Sequence, residues 1–280
     1  MKTLLTTFAF LMVVSLNAQK FQGKAVYKTS RKSNVKFGND KNSTMSDEMK
    51  QQLQARLQKM NQKTYILDFN KYESIYKQDV ALGAPRTKVG GAQIKMISLG
   101  GGSSTVLYKN IKEKRYAKQT EIQGKRFLIK DEINKQDWVM SSETKNIGKY
   151  TCYKATYTKE VESKKATFVD GKSEMKTTKE NVTTTAWYTP EIPLSNGPDN
   201  YQGLPGLILE INDGKNTIVC TEIIINPSEK IAIEEPKKGK VVNQKKFNKI
   251  QEEKSNELME KFKSRNGMDL GNGINIKMGG

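Results

Sequence analysis

Residues 179–226 read KENVTTTAWYTPEIPLSNGPDNYQGLPGLILEINDGKNTIVCTEIIIN, and this stretch decides the fold class. Three runs rich in Thr, Val, Ile and aromatic residues (179–190, 204–213 and 216–226) are separated by turn residues. Pro190 and Pro193 have no backbone N–H to donate, so the strand carrying Trp187 and Tyr188 ends before them. Asn196-Gly197-Pro198 signals a turn. Gly203 and Gly206 bracket Leu204-Pro205, a tight corner that needs close backbone approach or a positive φ. Beyond it, Leu207, Leu209 and Ile211 alternate with Ile208 and Glu210, as on a strand with two unlike faces. Turn signals at such short intervals point to an antiparallel meander rather than to βαβ units. Two readings of the loop follow. In one it is a rigid crossover that packs Trp187 against the corner. In the other it is a Pro/Gly-stiffened recognition surface.

The same pattern extends upstream. FQGKAVYKTS (21–30) alternates, and TYILDFN (64–70), YESIYKQ (72–78), STVLYKN (104–110), KRYAKQT (114–120), KRFLIKDE (125–132) and KYTCYKATYTKE (149–160) are strand-like. Two segments are helical in pattern. Met45, Met49, Leu53, Leu57 and Met60 fall on one helix face behind a Thr44 or Ser46 cap, and Phe247, Ile250, Leu258 and Phe262 do so within 243–265. The glycine-rich stretch 81–103 reads as a linker loop. The expectation is a mainly β, α+β fold. It comprises a curved antiparallel sheet or half-barrel of about ten strands, with one helix in the N-terminal half and one at the C-terminal end. Residues 1–18 read as a signal peptide, 19–266 as a single β-rich domain and 267–280 as a flexible Gly-rich tail.

Composition narrows the chemistry. The 280 residues include no histidine, which removes Ser-His and Cys-His nucleophiles, a histidine general base and His-ligated zinc. Two cysteines are too few for a four-cysteine zinc site, so neither metal nor cofactor is expected. Cys152 and Cys220 lie in separate predicted strands, and both a disulfide and two unpaired thiols are compatible with the sequence. The acid pairs Asp131-Glu132, Glu234-Glu235 and Glu252-Glu253 read as surface charge, and Gly100-Gly101-Gly102-Ser103-Ser104 lacks the Lys-Ser/Thr ending of a phosphate loop. No catalytic residue is nominated, and the chain is read as a non-enzyme.

The N-terminus, MKTLLTTFAFLMVVSLNAQK, has a basic residue, an apolar run over 4–16 and Ala18 as a cleavage residue. That is the grammar of export. No cysteine stands near the cut, so a lipoprotein anchor is not expected. Lys+Arg 48 against Asp+Glu 30 gives +18, spread along the whole chain. Interleaved charge of this kind reads as a solvated lysine-rich surface able to make peripheral contact with an anionic membrane, not as a nucleic-acid site.

Gly203 to Ile208 spell GLPGLI. With Trp138, Glu143-Thr144-Lys145, Ile147-Gly148, Cys152 to Thr156, Ala186 to Pro193 and Gly197-Pro198, the chain resembles the GLPGLI family of exported Bacteroidota proteins, also known as the Porphyromonas-gingivalis-type family. The motif residues that carry the resemblance are Trp187, Tyr188, Pro190, Pro193, Gly197, Pro198, Gly203, Leu204, Pro205, Gly206, Leu207 and Ile208. The resemblance implies a periplasmic or outer-membrane-associated protein, near TonB-dependent receptors, and assigns no activity. At fold level the pattern is similar to LolA/LolB/LppX-type lipoprotein carriers. The expected function is non-catalytic binding of a lipid, lipoprotein or peptide between sheet and helices, with the Met45–Met60 face as lid. The alternative is a module that docks on an outer-membrane TonB-dependent receptor through the 190–206 loop, with no small-molecule ligand.

Overall fold

The strand-like runs pair mostly with their sequence neighbours, and the pairing builds one sheet. The computed structural model describes residues 21–31, 48, 51–52, 55, 61–79, 105–169 and 172–264, with side chains described for all of these except 163–169, 172–177, 258–259 and 261–264. The strands are β1 (Gln22–Arg31), β2 (Lys63–Asn70), β3 (Glu73–Gln78), β4 (Val106–Asn110), β5 (Arg115–Ile122), β6 (Lys125–Glu132), β7 (Val139–Ile147), β8 (Tyr150–Val169), β9 (Lys172–Thr189), β10 (Leu207–Asn212), β11 (Asn216–Ile225) and β12 (Lys240–Val242). The helix α1 (Gln244–Ser264) follows. The sheet order is β12-β6-β5-β4-β3-β2-β1-β11-β10-β9-β8-β7. Among the described strands, only the short β12 runs parallel to its neighbour.

That order forces curvature. β6 and β7 stand ten strand spacings apart in the sheet, about 48 Å if it were flat. Yet residues 133–138 alone connect them, a span of at most about 25 Å. The sheet therefore curls, and the two ends approach each other at the crossing segment. The expected half-barrel is an open sheet of twelve strands rather than ten. Two strands are faint in the sequence for physical reasons, although Asp137-Trp138-Val139-Met140 at the start of β7 reads as strand-like. β7 is an edge strand whose side chains are largely exposed, so it lacks an apolar alternation. β12 is only three residues long.

One helix, not two, is described as an element. α1 starts at Asn243, whose Oδ1 accepts from Lys246 N at 2.9 Å, an N-cap. Its first turn holds no acid, but Asp131 from β6 supplies the missing negative charge, accepting from Gln244 N at 2.9 Å. Phe247 and Ile250 then pack on Phe127, Ile129 and Val242. Of the expected N-terminal-half helix, Glu48, Gln51, Gln52 and Ala55 are helical and exposed. Met45, Met49, Leu53, Leu57 and Met60 lie outside the described residues, as do the signal peptide and the Gly-rich tail.

Candidate functional site

Cross-strand register lines up the concave face as rows of side chains. One row runs Gly23, Phe69, Ser74, Lys109, Tyr116 and Asp131 across β1, β2, β3, β4, β5 and β6. The next row, two residues along each strand, runs Ala25, Leu67, Tyr76, Leu107, Lys118 and Ile129. These two rows have different covers.

The first row is roofed by the 190–206 loop and the start of α1. Lys109 is 1% exposed, and its Nζ donates to the carbonyls of Gly197 at 2.9 Å, Asp199 at 2.8 Å and Tyr201 at 3.1 Å. Burial pulls the Lys109 ammonium down to about 7, against the opposing pull of the Asp199 carboxylate. Three carbonyls match the three N–H groups of the charged form, whereas a neutral amine would turn a lone pair onto one of them. All three donors are spent on the loop, so this lysine clasps it to β4. Beside it, Asn196 Nδ2 donates to Ser74 Oγ at 2.8 Å. Tyr116 donates to Gln244 Oε1 at 2.9 Å.

The loop is thus built into the core. Ile192, Leu194, Leu204, Leu207 and Ile208 are buried in the main cluster, and Asn196, Gly197 and Pro198 are buried with them. Pro190, Pro193 and Pro205 face solvent. Gly203 adopts φ +95°, and a Cβ added at Gly206 would lie 2.1 Å from the Thr189 carbonyl oxygen. The tryptophan at the corner is Trp138, not the expected Trp187. Trp138 Nε1 donates to Gln202 O at 2.8 Å, and its ring lies near Tyr201 and Tyr157. Gln202 N also donates to Gln136 Oε1 at 3.1 Å, which ties the loop to the crossing segment between β6 and β7. Trp187 instead sits under Lys145, whose Nζ is 4.4 Å from the ring centre and pairs with Glu210 at 2.7 Å. Tyr188 donates to Met140 Sδ at 3.6 Å. The expected alternation of β10 also fails. Leu207, Ile208 and Leu209 are all fully buried, because the β10–β9 register shifts between Ile208 and Glu210.

The second row is closed at its β1–β2 end, where Ala25 and Leu67 are fully buried in the main cluster, and borders a cleft from Tyr76 to Ile129. This cleft, of about 350 Å³, lies between the row and α1. Leu107, Ile129 and Phe247 form its apolar side, and Thr105, Thr120, Gln78 and Gln251 its uncharged polar side. Tyr65 and Tyr76 also line it, their rings stacked at 4.9 Å and 6°. The Tyr76 hydroxyl is buried and has no partner among the described residues. Burial, and then the Asp199 carboxylate, raise this phenol well above its usual range, so it stays a donor at every physiological pH.

Cys152 and Cys220 carry free, buried thiols. Two strands, β9 and β10, separate β8 from β11, so the cysteines do not share a strand pair. Burial pushes Cys152 up to about 11 and Cys220 up to about 12. Raised acids favour the folded state below the ordinary thiol value of 9.0, and that contribution is lost as pH rises through about 11 and about 12. Among the described residues no group of acids and cysteines could hold a metal ion, and no helix is long and apolar enough to cross a membrane.

Residues 138–210 match the family model described as Protein of unknown function (Porph_ging). This match supports the resemblance carried by the GLPGLI residues. No curated protein matches the chain. Two solved structures of PNGF-II, in space groups C2 and P21, are similar at 13% and 14% identity, each with a TM-score of 0.47. Each likeness covers 84% of this chain and 33% or 34% of the other, so the chain spans about a third of the length of those structures. These likenesses do not show a LolA-type carrier.

Tyr76, Lys109, Lys118 and Trp138 are the residues that reading the sequence for sites passes over. Alternation places Tyr65 and Tyr76 on strands, but nothing in a single strand says that their rings meet. Lys109 is one lysine among many, and its acceptors come from 88 to 92 positions further along the chain.

Proposed function

We propose that this is an exported cell-envelope protein, periplasmic or associated with the outer membrane, that binds an amphipathic ligand without catalysing its conversion. The ligand class is a lipid, a lipoprotein acyl chain or a peptide. One observation carries the reading: the cleft beside α1 joins an apolar side of Leu107, Ile129 and Phe247 to a hydroxyl- and amide-bearing side. An apolar tail suits the first and a polar head the second. The 190–206 loop supports the same reading, since its apolar side chains Ile192, Leu194 and Leu204 serve the core and its exposed positions carry no aromatic residue. A second reading is docking on an outer-membrane TonB-dependent receptor. It draws on Val139, Met140 and Tyr153, exposed along β7 and β8, and not on the loop.

Native mass spectrometry of the protein purified from its own envelope, with organic extraction of what co-purifies, tests the proposal. The expected result is a bound amphiphile that Thr105→Trp, which fills the cleft, excludes without lowering Tm. Bare protein that takes up no added lipid would sink the cleft reading in favour of docking.

A further inference from the structure

We propose that the head group of the ligand is a sugar, held in the cleft by neutral hydroxyls and amides together with the Asp199 carboxylate. The inference rests on the cleft being a ligand site and adds the chemistry of the head. Thr29, Gln78, Thr105, Thr120, Gln244 and Gln251 line the cleft. Each of these side chains can both donate and accept, as a sugar hydroxyl does, whereas an ionised carboxylate or phosphate head only accepts and a primary ammonium only donates. They come from both walls. Thr105 and Thr120 stand beside each other at 3.3 Å, which spends one hydroxyl hydrogen and leaves the other to a ligand. Gln78 stands next to Tyr65 in register, at the end of β3. Across the cleft, Gln244, Phe247 and Gln251 lie at spacings of three and four on one face of α1.

The charges of the cleft favour a neutral head. Lys63 and Lys118 line it, and Asp199 is its one carboxylate among the described residues. Lys63 is exposed to solvent, which leaves Lys118 and Asp199 as one half-buried charge of each sign. A head carrying a single charge of either sign would face one like charge there. A sugar meets no such penalty, and its hydroxyls can donate to the carboxylate and accept from the ammonium. Asp199 is placed for this by the loop. Its backbone stands at φ +47°, a conformation aspartate tolerates better than most residues, and its own carbonyl is tied down by Lys109 at 2.8 Å. The three donors of Lys109 go to carbonyls, so the Asp199 carboxylate keeps its acceptor capacity. The stacked rings of Tyr65 and Tyr76 add a stiff wall, and Leu107, Ile129 and Phe247 receive the first carbons of a tail.

Calorimetric titration below the micelle concentration tests this. The probes are octyl glucoside, octyl galactoside, the matching methyl glycosides, octanol, octanoate and octylphosphocholine. At least one octyl glycoside should bind at least about tenfold more tightly than octanol, octanoate and octylphosphocholine. Its affinity should not fall between low and high salt. Asp199→Asn should weaken that glycoside about tenfold, and Gln78→Met and Thr105→Val about threefold each. Octanol binding should be unchanged in all three, with Tm confirming that each is folded. Octanol binding as well as both glycosides, tighter binding of octanoate or octylphosphocholine, or indifference to the substitutions would overturn the sugar assignment and leave the cleft reading standing. A methyl glycoside binding as tightly as its octyl counterpart would keep the sugar and overturn the amphiphile. No binding of any probe would overturn both.

Discussion

Two neighbouring rows on the concave face, two residues apart along every strand, meet opposite fates. In the row through Ser74, Lys109, Tyr116 and Asp131, every one of these polar side chains has found a partner on the loop or at the start of α1. In the row through Tyr76 and Lys118, the side chains face a cleft and a hydroxyl is left over. The difference teaches where this fold spends its most distinctive sequence. The GLPGLI loop seals one end of a curled sheet, and the adjoining surface stays open because that seal stops there. Of the 190–206 loop, Asp199 alone reaches the lining of the cleft.

The largest expected effect breaks the seal. Gly206→Val drives a side chain into the Thr189 carbonyl, and backbone cannot turn aside as a flexible side chain could. The expected outcome is loss of folded protein, or a Tm lower by about 10 °C. Gly203→Val meets only ordinary contact with Trp138, so its penalty is the positive φ alone, about 1–3 kcal/mol. Equal losses at the two positions would show that the corner is not held as described. Next in size is the clasp. Lys109→Met strands one buried and two part-buried carbonyls and should cost about 3 kcal/mol in urea unfolding. Lys118→Met, in the adjacent row, should stay within about 0.5 kcal/mol. The smallest effect is the most discriminating. Tyr27→Phe removes a buried bond to Ile208 O of 2.8 Å and should cost about 1 kcal/mol. Tyr76→Phe removes no bond and should leave Tm unchanged or slightly higher. A matching loss at Tyr76 would mean that its hydroxyl has a partner within the protein.

Much of the fold was legible in the sequence. The strands around Leu67, Tyr76, Leu107, Ile129 and Ile211 announce themselves through β-branched and aromatic alternation. The run from Phe247 to Ile250 announces α1, whose bounds differ from the expected ones by a residue at each end. β7 was legible only at its start, where Asp137-Trp138-Val139-Met140 reads as strand-like; the rest, SSETKNI, is an exposed edge that needs no apolar face. The alternation of Leu207 to Ile211 misled for the opposite reason: a bulge buries three consecutive residues, and bulges leave no mark in hydropathy. The site was less legible than the fold. Trp187 stands within the motif and draws the eye, yet Trp138, at the end of the crossing segment before β7, does the packing at Gly203. Lys109 and Tyr76 acquire their roles from register alone, which a single strand cannot reveal.

The first strand occupies the centre of the sheet, between β2 and β11. Its pairing with β2 is made early on a growing chain, but its other edge must wait for Ile225. Through synthesis, then, the strand that leads is half finished, with a bare edge of backbone open to any passing partner. The closing step joins segments about two hundred positions apart, and contacts of that span form slowly. Assembly of this molecule is gated by its last third, and a chain cut short before β11 leaves two separate part-sheets rather than a smaller version of the whole.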